Sequence, residues 1–282
     1  MNIKENLNNA IKILRESKIE EPLLTAKILL SFFLGVSKEY LIINQEESVM
    51  EEVVQKYKIA IDKIIKGCPI QYITQNQEFM KLNFYVNENV LIPRADTEIL
   101  VEEVIKYAKT INKEKINILD LCTGSGAIGN SLAKYITNSF VTMSDISIEA
   151  LEVARINAKN NNVENKTKII HSNLFENIQG KFDIIVSNPP YIEKNEISKL
   201  DINVQNEPLI ALDGGIDGLD FYRKIAENTY KYLNKNGYLF LEIGYNQKES
   251  VTNIIENTNM YKNIECTKDL SGNDRVVKTI II

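Results

Sequence analysis

The stretch that decides the fold reads Ile116-Asn117-Ile118-Leu119-Asp120-Leu121-Cys122-Thr123-Gly124-Ser125-Gly126-Ala127-Ile128-Gly129. Its first six residues are apolar enough for a buried strand, and its glycines precede a helix that continues to about Tyr135. Glycine lets a backbone approach a ligand closely, and a helix start offers N–H donors and the positive end of the helix dipole. The stretch therefore predicts a strand, a ligand-binding turn and a helix in succession.

Beyond this stretch, strands and helices alternate to the end of the chain. The further predicted strands cover residues 140–145, 168–171, 182–187, 238–243, 263–267 and 275–282, and the predicted helices cover 148–160, 219–233 and 247–256. Near-continuous apolar strands in such an alternation favour a mostly parallel sheet with both faces covered. Residues 269–274 are too short for a parallel crossover, so we expect the last strand to be antiparallel. The predicted fold class is α/β, with a Rossmann-like, mostly parallel seven-stranded sheet.

The N-terminal part of the chain has a different pattern. Apolar residues at three- and four-residue spacing predict helices over residues 1–66, the last of which ends at Gly67. We expect a helical bundle over residues 1–75, which is either a docking module for a substrate or a stabilising appendage. Extended runs at 78–86 and 90–92 predict a β-hairpin linker over residues 76–93, with its turn at 87–89. Residues 94–282 then form the α/β domain.

The strand Phe182–Ser187 ends in Asn188-Pro189-Pro190-Tyr191, which cannot continue a central strand. Each proline fixes φ at about −65° and has no N–H, so the turn is stiff and its carbonyls point outward unpaired. Such a rim of acceptors beside an asparagine side chain can hold an NH2 group. An Asn-Pro pair by itself more often starts an ordinary turn, so its surroundings must decide.

The glycine loop is compatible with two ligands, or with a tight turn that holds no ligand. Its three glycines satisfy the dinucleotide fingerprint G-x-G-x-x-G, and the same loop counted from Asp120 fits S-adenosylmethionine. Asp145, at the end of the next strand, suits the two hydroxyls of a ribose. Because parallel strands end at one edge of the sheet, we expect the turn at Asn188 to lie across from this loop. Hydride transfer has no use for a group that holds NH2, so the methyl donor is favoured.

Composition limits the class of function. Of the 282 residues, 44% are hydrophobic and 25% charged, as in globular proteins, and the net charge of −5 disfavours a protein that binds by neutralising phosphates. Three separated cysteines and a single histidine, His171, indicate neither a disulfide framework, a structural metal nor a serine–histidine site. The sequence contains neither an apolar run of ~20 residues nor a secretory signal. We therefore expect a cytoplasmic monomer with no stable nucleic-acid partner.

Together these motifs resemble the amino-methyltransferase branch of class I methyltransferases, and most closely the peptide chain release factor N(5)-glutamine methyltransferases. The resemblance rests on the loop from Asp120, on Asp145 and on Asn188-Pro189-Pro190-Tyr191, and it extends over nearly the whole chain. Further matching stretches cover residues 67–73, 91–98, 207–212, 214–219 and 241–244. The Asn-Pro-Pro-Tyr turn alone is shared with adenine methyltransferases, whereas the further stretches are specific.

The resemblance implies an activity and a site. The implied activity is transfer of a methyl group from the cofactor S-adenosyl-L-methionine to the glutamine in the GGQ motif of class 1 release factors, without a metal. The implied cofactor-binding residues are Asp120, Cys122, Thr123, Gly124, Ser125, Gly126, Asp145, Asn173, Leu174 and Asn188. The implied catalytic residues are Asn188, Pro189, Pro190 and Tyr191, and the implied substrate-binding residues are these four with Arg94 and Glu98.

Three positions depart from the family pattern. Ala95 replaces a proline, Cys122 replaces a glycine, and Asn173 replaces an aspartate that usually helps to hold the adenine. Asn173 can still accept a hydrogen bond from an exocyclic amine through its carbonyl oxygen, so we expect weakened donor binding. Two other hypotheses remain open. One is an N6-adenine methyltransferase acting on DNA or RNA, because a flipped adenine presents the same NH2 group; the other is a non-catalytic binding module on the same scaffold.

Overall fold

The computed structural model describes residues 1–282, and the chain divides into two compact units. Unit 1 contains Met1–Gln75 together with Asp201–Asn206, and unit 2 contains Asn76–Leu200 and Glu207–Ile282. A short segment from late in the chain therefore folds with the N-terminal residues. None of the helices combines the length and the apolar character that crossing a membrane requires.

Unit 1 is a helical bundle. Its first helices are α1 Ile3–Glu16, α2 Pro22–Leu34, α3 Lys38–Ile43, α4 Glu51–Ile65 and α5 Ile70–Thr74. Asn2 and Glu5 form a capping box at the start of α1, and Gly35 ends α2 in the left-handed conformation. The apolar faces meet around Leu14 and Leu29, which are fully buried. The predicted N-terminal helices are present, and α5 is an additional helix that the sequence pattern does not predict.

Unit 2 begins with a small hairpin and continues as an α/β domain. Its first elements are β1 Gln77–Phe79, β2 Leu82–Phe84, α6 Asp96–Ala108, β3 Ile116–Leu121, α7 Ala127–Tyr135, β4 Ser139–Asp145, α8 Ile148–Asn160, β5 Thr167–His171 and β6 Phe182–Ser187. After β6 the chain forms α9 Ile202–Gln205, α10 Asp220–Thr229, β7 Leu233–Glu242, α11 Lys248–Asn257, β8 Tyr261–Lys268 and β9 Asp274–Ile281. Of these, α9 belongs to unit 1, where Asn206 donates from Nδ2 to the Gly67 carbonyl at 2.9 Å.

The large sheet has the strand order β5-β4-β3-β6-β7-β9-β8. Strand β9 runs antiparallel to both of its neighbours, and the four other pairs are parallel. The predicted seven-stranded α/β fold with an antiparallel last strand is thereby confirmed. The strand order reverses at β3, which has β4 on one side and β6 on the other. Such a switch point leaves a ligand-binding crevice at the carboxyl ends of the strands.

Both faces of this sheet are buried. Successive residues of a strand point to opposite faces, so Ile184 and Val186 of β6 pack in the same apolar cluster as α6 and α7, whereas Ile185 packs in the cluster of α10 and α11. All three side chains are fully buried. Two covered faces explain why the strands are nearly continuous in apolar residues.

The predicted hairpin has its turn in the wrong place. The chain turns at Met80 and Lys81, not at 87–89, and both residues have positive φ, at 51° and 59°. Two-residue hairpin turns of this kind normally contain glycine, asparagine or aspartate. Here the Met80 N–H donates to Glu98 Oε1 at 2.6 Å, so a residue distant in sequence stabilises a turn that has no local signal.

Two other sequence predictions are corrected. The run at 90–92 forms no strand, because the Ile92 N–H donates to the buried Glu207 carboxylate at 3.0 Å instead of to a neighbouring strand. The helix predicted over 219–233 ends early, because Leu233 already pairs with the start of β6. Strand β7 is therefore longer than expected.

Candidate active site

A cavity opens at the carboxyl ends of β3, β4, β5 and β6, where a switch point predicts a ligand site. The lining residues that end or follow these strands are Cys122, Gly124, Asp145, Ile146, Ser147, Ser172, Asn173, Leu174, Asn188 and Pro190. Other segments add Asn89, Val90, Leu91, Ala150, Ile210, Ala211, Phe221 and Lys224. The fold thus brings the glycine loop, the acidic residue and the Asn-Pro-Pro-Tyr turn into one cavity.

Asp120 supports the glycine loop from behind the cavity. Its side chain is fully buried, and Oδ2 accepts hydrogen bonds from the Gly129 N–H at 3.0 Å and from the Thr123 hydroxyl. Burial raises the pKa of Asp120 to about 7, although these two hydrogen bonds favour its charged form. Its Oδ1 has no hydrogen-bond partner. Asp120 therefore holds the loop in shape and does not line the cavity.

The loop depends on left-handed backbone at three positions. Cys122, Gly124 and Gly126 have φ of 58°, 53° and 77°. A Cβ on Gly126 would lie 2.7 Å from Asn130 Nδ2, so this position requires glycine, whereas a Cβ on Gly124 would meet no atom within 4 Å. The space above Gly124 is open to a ligand. Cys122 adopts a conformation that glycine adopts without strain, which fits the glycine of the family pattern at this position.

Asp145 presents its carboxylate to the cavity. Oδ2 accepts from the Gly124 N–H at 2.8 Å, and Oδ1 accepts from the Ser147 N–H at 3.0 Å. Burial raises the pKa of Asp145, while these N–H groups and that of Ile146 oppose the rise. Each oxygen keeps a lone pair for one further donor. The carboxylate can therefore accept hydrogen bonds from the two hydroxyls of a ribose.

Asn173 has its amide nitrogen engaged by a neighbouring side chain. Its Nδ2 donates to Glu176 Oε1 at 2.8 Å, so the carbonyl oxygen is the atom left to accept a hydrogen bond from a ligand. Ile146 and Leu174 contribute apolar surface to the same cavity. This combination of one acceptor and apolar walls fits an aromatic ring with an exocyclic amine.

Asn188 also has its amide nitrogen engaged. Nδ2 donates to Thr97 Oγ1 at 3.2 Å, and Thr97 is the buried second residue of α6. The carboxylate of Glu242, the last residue of β7, is fully buried beside them. Burial raises the pKa of Glu242 to about 7, and hydrogen bonds with Thr97 and Asn188 oppose the rise. Glu242 Oε2 has no hydrogen-bond partner.

Tyr191 is held by its backbone and does not line the cavity. Its carbonyl accepts from Gln247 Nε2 at 2.9 Å. A Cβ on Gly218 would lie 2.4 Å from this carbonyl oxygen, and a Cβ on Gly214 would lie 2.7 Å from the Tyr191 Cα. Burial, together with the nearby charge of Glu242, raises the pKa of Tyr191 to about 12. The glycine-rich stretch 214–219 therefore packs directly against the turn.

Arg94 and Glu98 lie outside the cavity lining as well. Arg94 forms an ion pair with Glu207, whose carboxylate also accepts the Ile92 N–H. Glu98 accepts the Met80 N–H in the hairpin. Both residues thus have partners that stabilise unit 2, and their contact with a substrate stays a prediction.

The predicted site residues divide into two groups. Those in the cavity lining are Cys122, Gly124, Asp145, Asn173, Leu174, Asn188 and Pro190. Those outside the lining are Asp120, Thr123, Ser125, Gly126, Pro189, Tyr191, Arg94 and Glu98. Sequence reasoning missed Ile210, Ala211, Phe221 and Lys224, although the first two lie in a family-matching stretch. It also missed the buried Thr97, although this residue lies in another such stretch, 91–98.

The chemistry of the cavity fits S-adenosylmethionine. The Asp145 carboxylate suits the ribose hydroxyls, the Asn173 carbonyl oxygen suits the adenine amine, and the open backbone at Gly124 leaves room for the rest of the molecule. The aspartate-to-asparagine departure at position 173 keeps the acceptor that adenine requires.

Comparisons with known proteins identify similar sequences and a similar fold. Residues 5–74 match the family model described as the PrmC N-terminal domain, and residues 95–207 match the Methyltransferase small domain. A release factor glutamine methyltransferase of Clostridium acetobutylicum is 45% identical over 99% of both chains, and one of Moorella thermoacetica is 37% identical over 98% of this chain and 97% of its own. A solved methyltransferase from Pyrococcus furiosus, at 21% identity and a TM-score of 0.51 over 78% of this chain and 96% of that chain, shares the fold. This chain belongs to the release factor glutamine methyltransferase family.

Proposed function

We propose that this enzyme transfers a methyl group from S-adenosyl-L-methionine to the side-chain amide nitrogen of the glutamine in the GGQ motif of class 1 peptide chain release factors. The observation that carries the proposal is the side chain of Asn188, which lines the donor cavity while its Nδ2 is engaged by Thr97. The carbonyl oxygen is then available to accept a hydrogen bond from a substrate NH2 group. The relatives named above support a glutamine as the bearer of that group.

An amide nitrogen is a poor nucleophile because its lone pair is delocalised into the carbonyl. In our proposal, Asn188 Oδ1 and the Pro189 carbonyl accept the two N–H hydrogens of the glutamine and orient its lone pair toward the donor. When bound, S-adenosylmethionine supplies an electrophilic methyl group. The nitrogen becomes acidic only as it is alkylated, so water can take its proton and no strong base is needed. Orientation of this kind contributes up to ~7–11 kcal/mol in favourable cases.

The surrounding residues make the acceptor rim rigid. Pro189 and Pro190 are buried and fix the backbone of the turn. Gln247 and Gly218 hold the Tyr191 backbone and so fix the end of the turn. Contact of the Tyr191 ring with the bound side chain stays a prediction, because Tyr191 does not line the cavity. We propose that these residues position the substrate and that none of them exchanges a proton with it.

The assay that tests this function uses labelled S-adenosylmethionine, the intact enzyme and an intact class 1 release factor. The release factor should become labelled, and a Gln-to-Ala change in its GGQ motif should abolish the labelling. Persistent labelling of that variant would contradict the proposal. DNA and RNA belong in the same assay, because labelled nucleic acid would support the adenine methyltransferase hypothesis. Calorimetry that detects no donor binding would support the non-catalytic module.

We also propose that unit 1, including residues 1–75, docks the release factor. Support comes from its match to a domain model of this family and from apolar side chains that it leaves exposed. Among these, Ile43 at the end of α3 is 79% exposed. Tyr40 and Ile42 of the same helix are exposed as well, and a group of exposed apolar side chains suits contact with a partner.

Ile43→Glu should raise the KM for the release factor several-fold and leave kcat unchanged, because the change disturbs docking and not the reacting groups. Leu270→Glu, at an exposed apolar position of unit 2, is the control and should leave both constants unchanged. Steady-state methylation of the intact release factor measures both constants. An unchanged KM in the Ile43 variant would argue against docking through this helix.

The oligomeric state and the cellular location of the enzyme are proposals as well. We propose a monomer that acts in the cytoplasm and has no stable nucleic-acid partner, in line with the net charge of −5 and with a translation factor as substrate. Light scattering of the purified enzyme, with and without RNA, measures both the oligomeric state and any complex.

A further inference from the structure

An asparagine side chain can assist a methyl acceptor in only one of its two amide orientations. With Oδ1 toward the substrate, it accepts a hydrogen bond from the NH2 group. With Nδ2 in that place, it presents a donor to another donor. The two orientations have nearly the same shape and differ in hydrogen bonding alone. The neighbouring hydrogen-bond partners therefore determine which orientation is adopted.

At Asn188, the neighbouring groups are acceptors. Nδ2 donates to Thr97 Oγ1 at 3.2 Å, and Thr97 is only 4% exposed, so water does not compete for this contact. A threonine hydroxyl can donate as well as accept, and by itself it does not discriminate between the orientations. A second group must therefore take the hydroxyl proton.

Glu242 is that second group. Its side chain is 1% exposed and buried beside Thr97 and Asn188. Burial raises its pKa, and hydrogen bonding with these two residues opposes the rise. In its charged form, which predominates above pH 7, Glu242 accepts hydrogen bonds only, so it takes the Thr97 proton and leaves an Oγ1 lone pair for Asn188 Nδ2. Hydrogen bonding then runs in one direction, from the amide to the hydroxyl to the carboxylate.

The other charged groups around Glu242 are paired with one another. Arg275 Nη2 pairs with Asp96 Oδ2 at 3.1 Å and Asp269 Oδ2 at 3.0 Å, so the guanidinium has carboxylate partners of its own. Tyr191 donates no hydrogen bond to Glu242 in the structure. A carboxylate without an ion pair of its own, buried and with Oε2 unpartnered, lowers stability, which points to a role other than stabilising the fold.

We infer that Thr97 and Glu242 are positioning residues that lock the Asn188 amide with its carbonyl oxygen toward the methyl acceptor. The catalytic consequence rests on the proposed function, whereas the locked orientation is a property of the enzyme alone. Neither residue lines the cavity, so both act through Asn188. This role also explains why the start of α6 belongs to the family-matching stretches although Arg94 and Glu98 do not reach the cavity.

The test replaces the hydroxyl while keeping the shape. Thr97→Val removes the acceptor, Thr97→Ser retains it, and Thr142→Val, at another buried threonine on β4, is the control for the substitution itself. In 15N-labelled enzyme without substrate, nuclear magnetic resonance measures hydrogen exchange of the Asn188 Nδ2 protons. Exchange should be at least ~10-fold faster in Thr97→Val than in the wild type, and close to wild type in Thr97→Ser and in the control.

Kinetics with the release factor then measure the consequence. Thr97→Val should lower kcat by ~10–100-fold, since a small misplacement of an orienting group has effects of this size, with the donor Kd within about two-fold of wild type. Thr97→Ser should recover most of the turnover. Equal loss in the Val and Ser variants, or unchanged amide exchange in Thr97→Val, would overturn the inference. If the wild-type enzyme did not label the release factor, the proposed substrate would be refuted instead. The exchange measurement would still decide the orientation of the Asn188 amide.

Discussion

Two side chains at the single-residue scale, Asp145 and Asn188, face one cavity and offer it different chemistry. Asp145 presents a carboxylate whose two oxygens are already oriented by backbone N–H groups. Asn188 presents an amide oriented by the Thr97 hydroxyl. We expect the carboxylate to hold the donor and the amide to hold the acceptor, so substitutions at the two positions should affect different steps.

Asn188→Ala should nearly abolish methylation and change the donor Kd by less than about three-fold. Asp145→Ala should raise the donor Kd by ~10–100-fold, because hydrogen bonds to a charged group contribute about 1.5–3 kcal/mol. Calorimetry with S-adenosylmethionine measures binding, and the labelling assay measures turnover. Wild-type turnover in Asn188→Ala would show that this amide does not hold the acceptor.

Glu242 predicts a pH dependence. Its pKa is about 7 in the folded chain and has an ordinary value of 4.5, so between these values the folded chain binds more protons than the unfolded chain. The contribution of Glu242 to the free energy of unfolding therefore falls as pH rises from about 4.5 to 7 and is constant above. A glutamine at this position does not titrate, so Glu242→Gln lacks this loss. Between pH 5 and pH 8, we expect the free energy of unfolding of the variant to rise by about 2–3 kcal/mol relative to that of the wild type.

Urea unfolding of both proteins at pH 5, 6, 7 and 8 measures the difference. Glu102→Gln, at an exposed position on α6, is the control. A difference that does not vary with pH would mean that the carboxylate of Glu242 is not held at a raised pKa.

At the scale of elements, the first turn of α6 joins three separate parts of unit 2. Asp96 pairs with Arg275 of β9 at 3.1 Å, and Thr97 accepts from Asn188 after β6. Glu98 accepts from Met80 in the hairpin. Three consecutive side chains thus bind the hairpin, the Asn-Pro-Pro-Tyr turn and the antiparallel strand to one helix start.

The loop 214–219 is a second such element, and Gly218 is its tightest point. Gly218→Ala should lower the free energy of unfolding by about 2–4 kcal/mol, because φ is +71° and the Cβ would lie 2.4 Å from the Tyr191 carbonyl oxygen. Gly180→Ala is the matched control, since its φ is +91° but no atom lies within 4 Å of the added Cβ. The control should lose only about 1–2 kcal/mol. Urea unfolding compares the two, and equal losses would mean that Tyr191 is not clamped.

At the scale of the whole molecule, Glu207 connects distant parts of the chain. It follows directly after the segment Asp201–Asn206 that folds with unit 1, and within unit 2 it binds Arg94 and the Ile92 N–H. Two lining residues are close to this contact in the chain, since Leu91 precedes Ile92 and Ile210 follows Glu207 by three residues. The crossover between β6 and β7 therefore helps to shape the cavity.

Glu207→Gln should raise the donor Kd several-fold, because a neutral side chain holds Arg94 and the Ile92 N–H less strongly, by about 1–2 kcal/mol. Glu193→Gln, at an exposed position of the same crossover, is the control. Calorimetry with S-adenosylmethionine checks the effect. An unchanged Kd would show that the cavity wall keeps its shape without this pair.

Elements that a local sequence pattern defines were predicted accurately, and an element that a distant contact stabilises was not. Strands β3 and β6 begin and end at the predicted residues, because a run of apolar residues between polar ones is a local pattern. The hairpin turn was misplaced because its stability comes from Glu98, a contact 18 residues away. Among site residues, Asp145 and Asn188 were predicted from strand ends, whereas Thr97 had no chemical signature of its own.

The sequence by itself determined the α/β class, the glycine loop, the carboxylate at Asp145 and the amide at Asn188. Apolar periodicity and side-chain chemistry can be recognised in short segments of the chain. Only the tertiary structure decided which groups orient these side chains. Thr97 lies 91 residues from Asn188 in the chain, and the order of strands in the sheet brings β7 and its Glu242 beside β6. The physical reason is that hydrogen bonds between distant residues depend on the sheet order, which no single segment encodes.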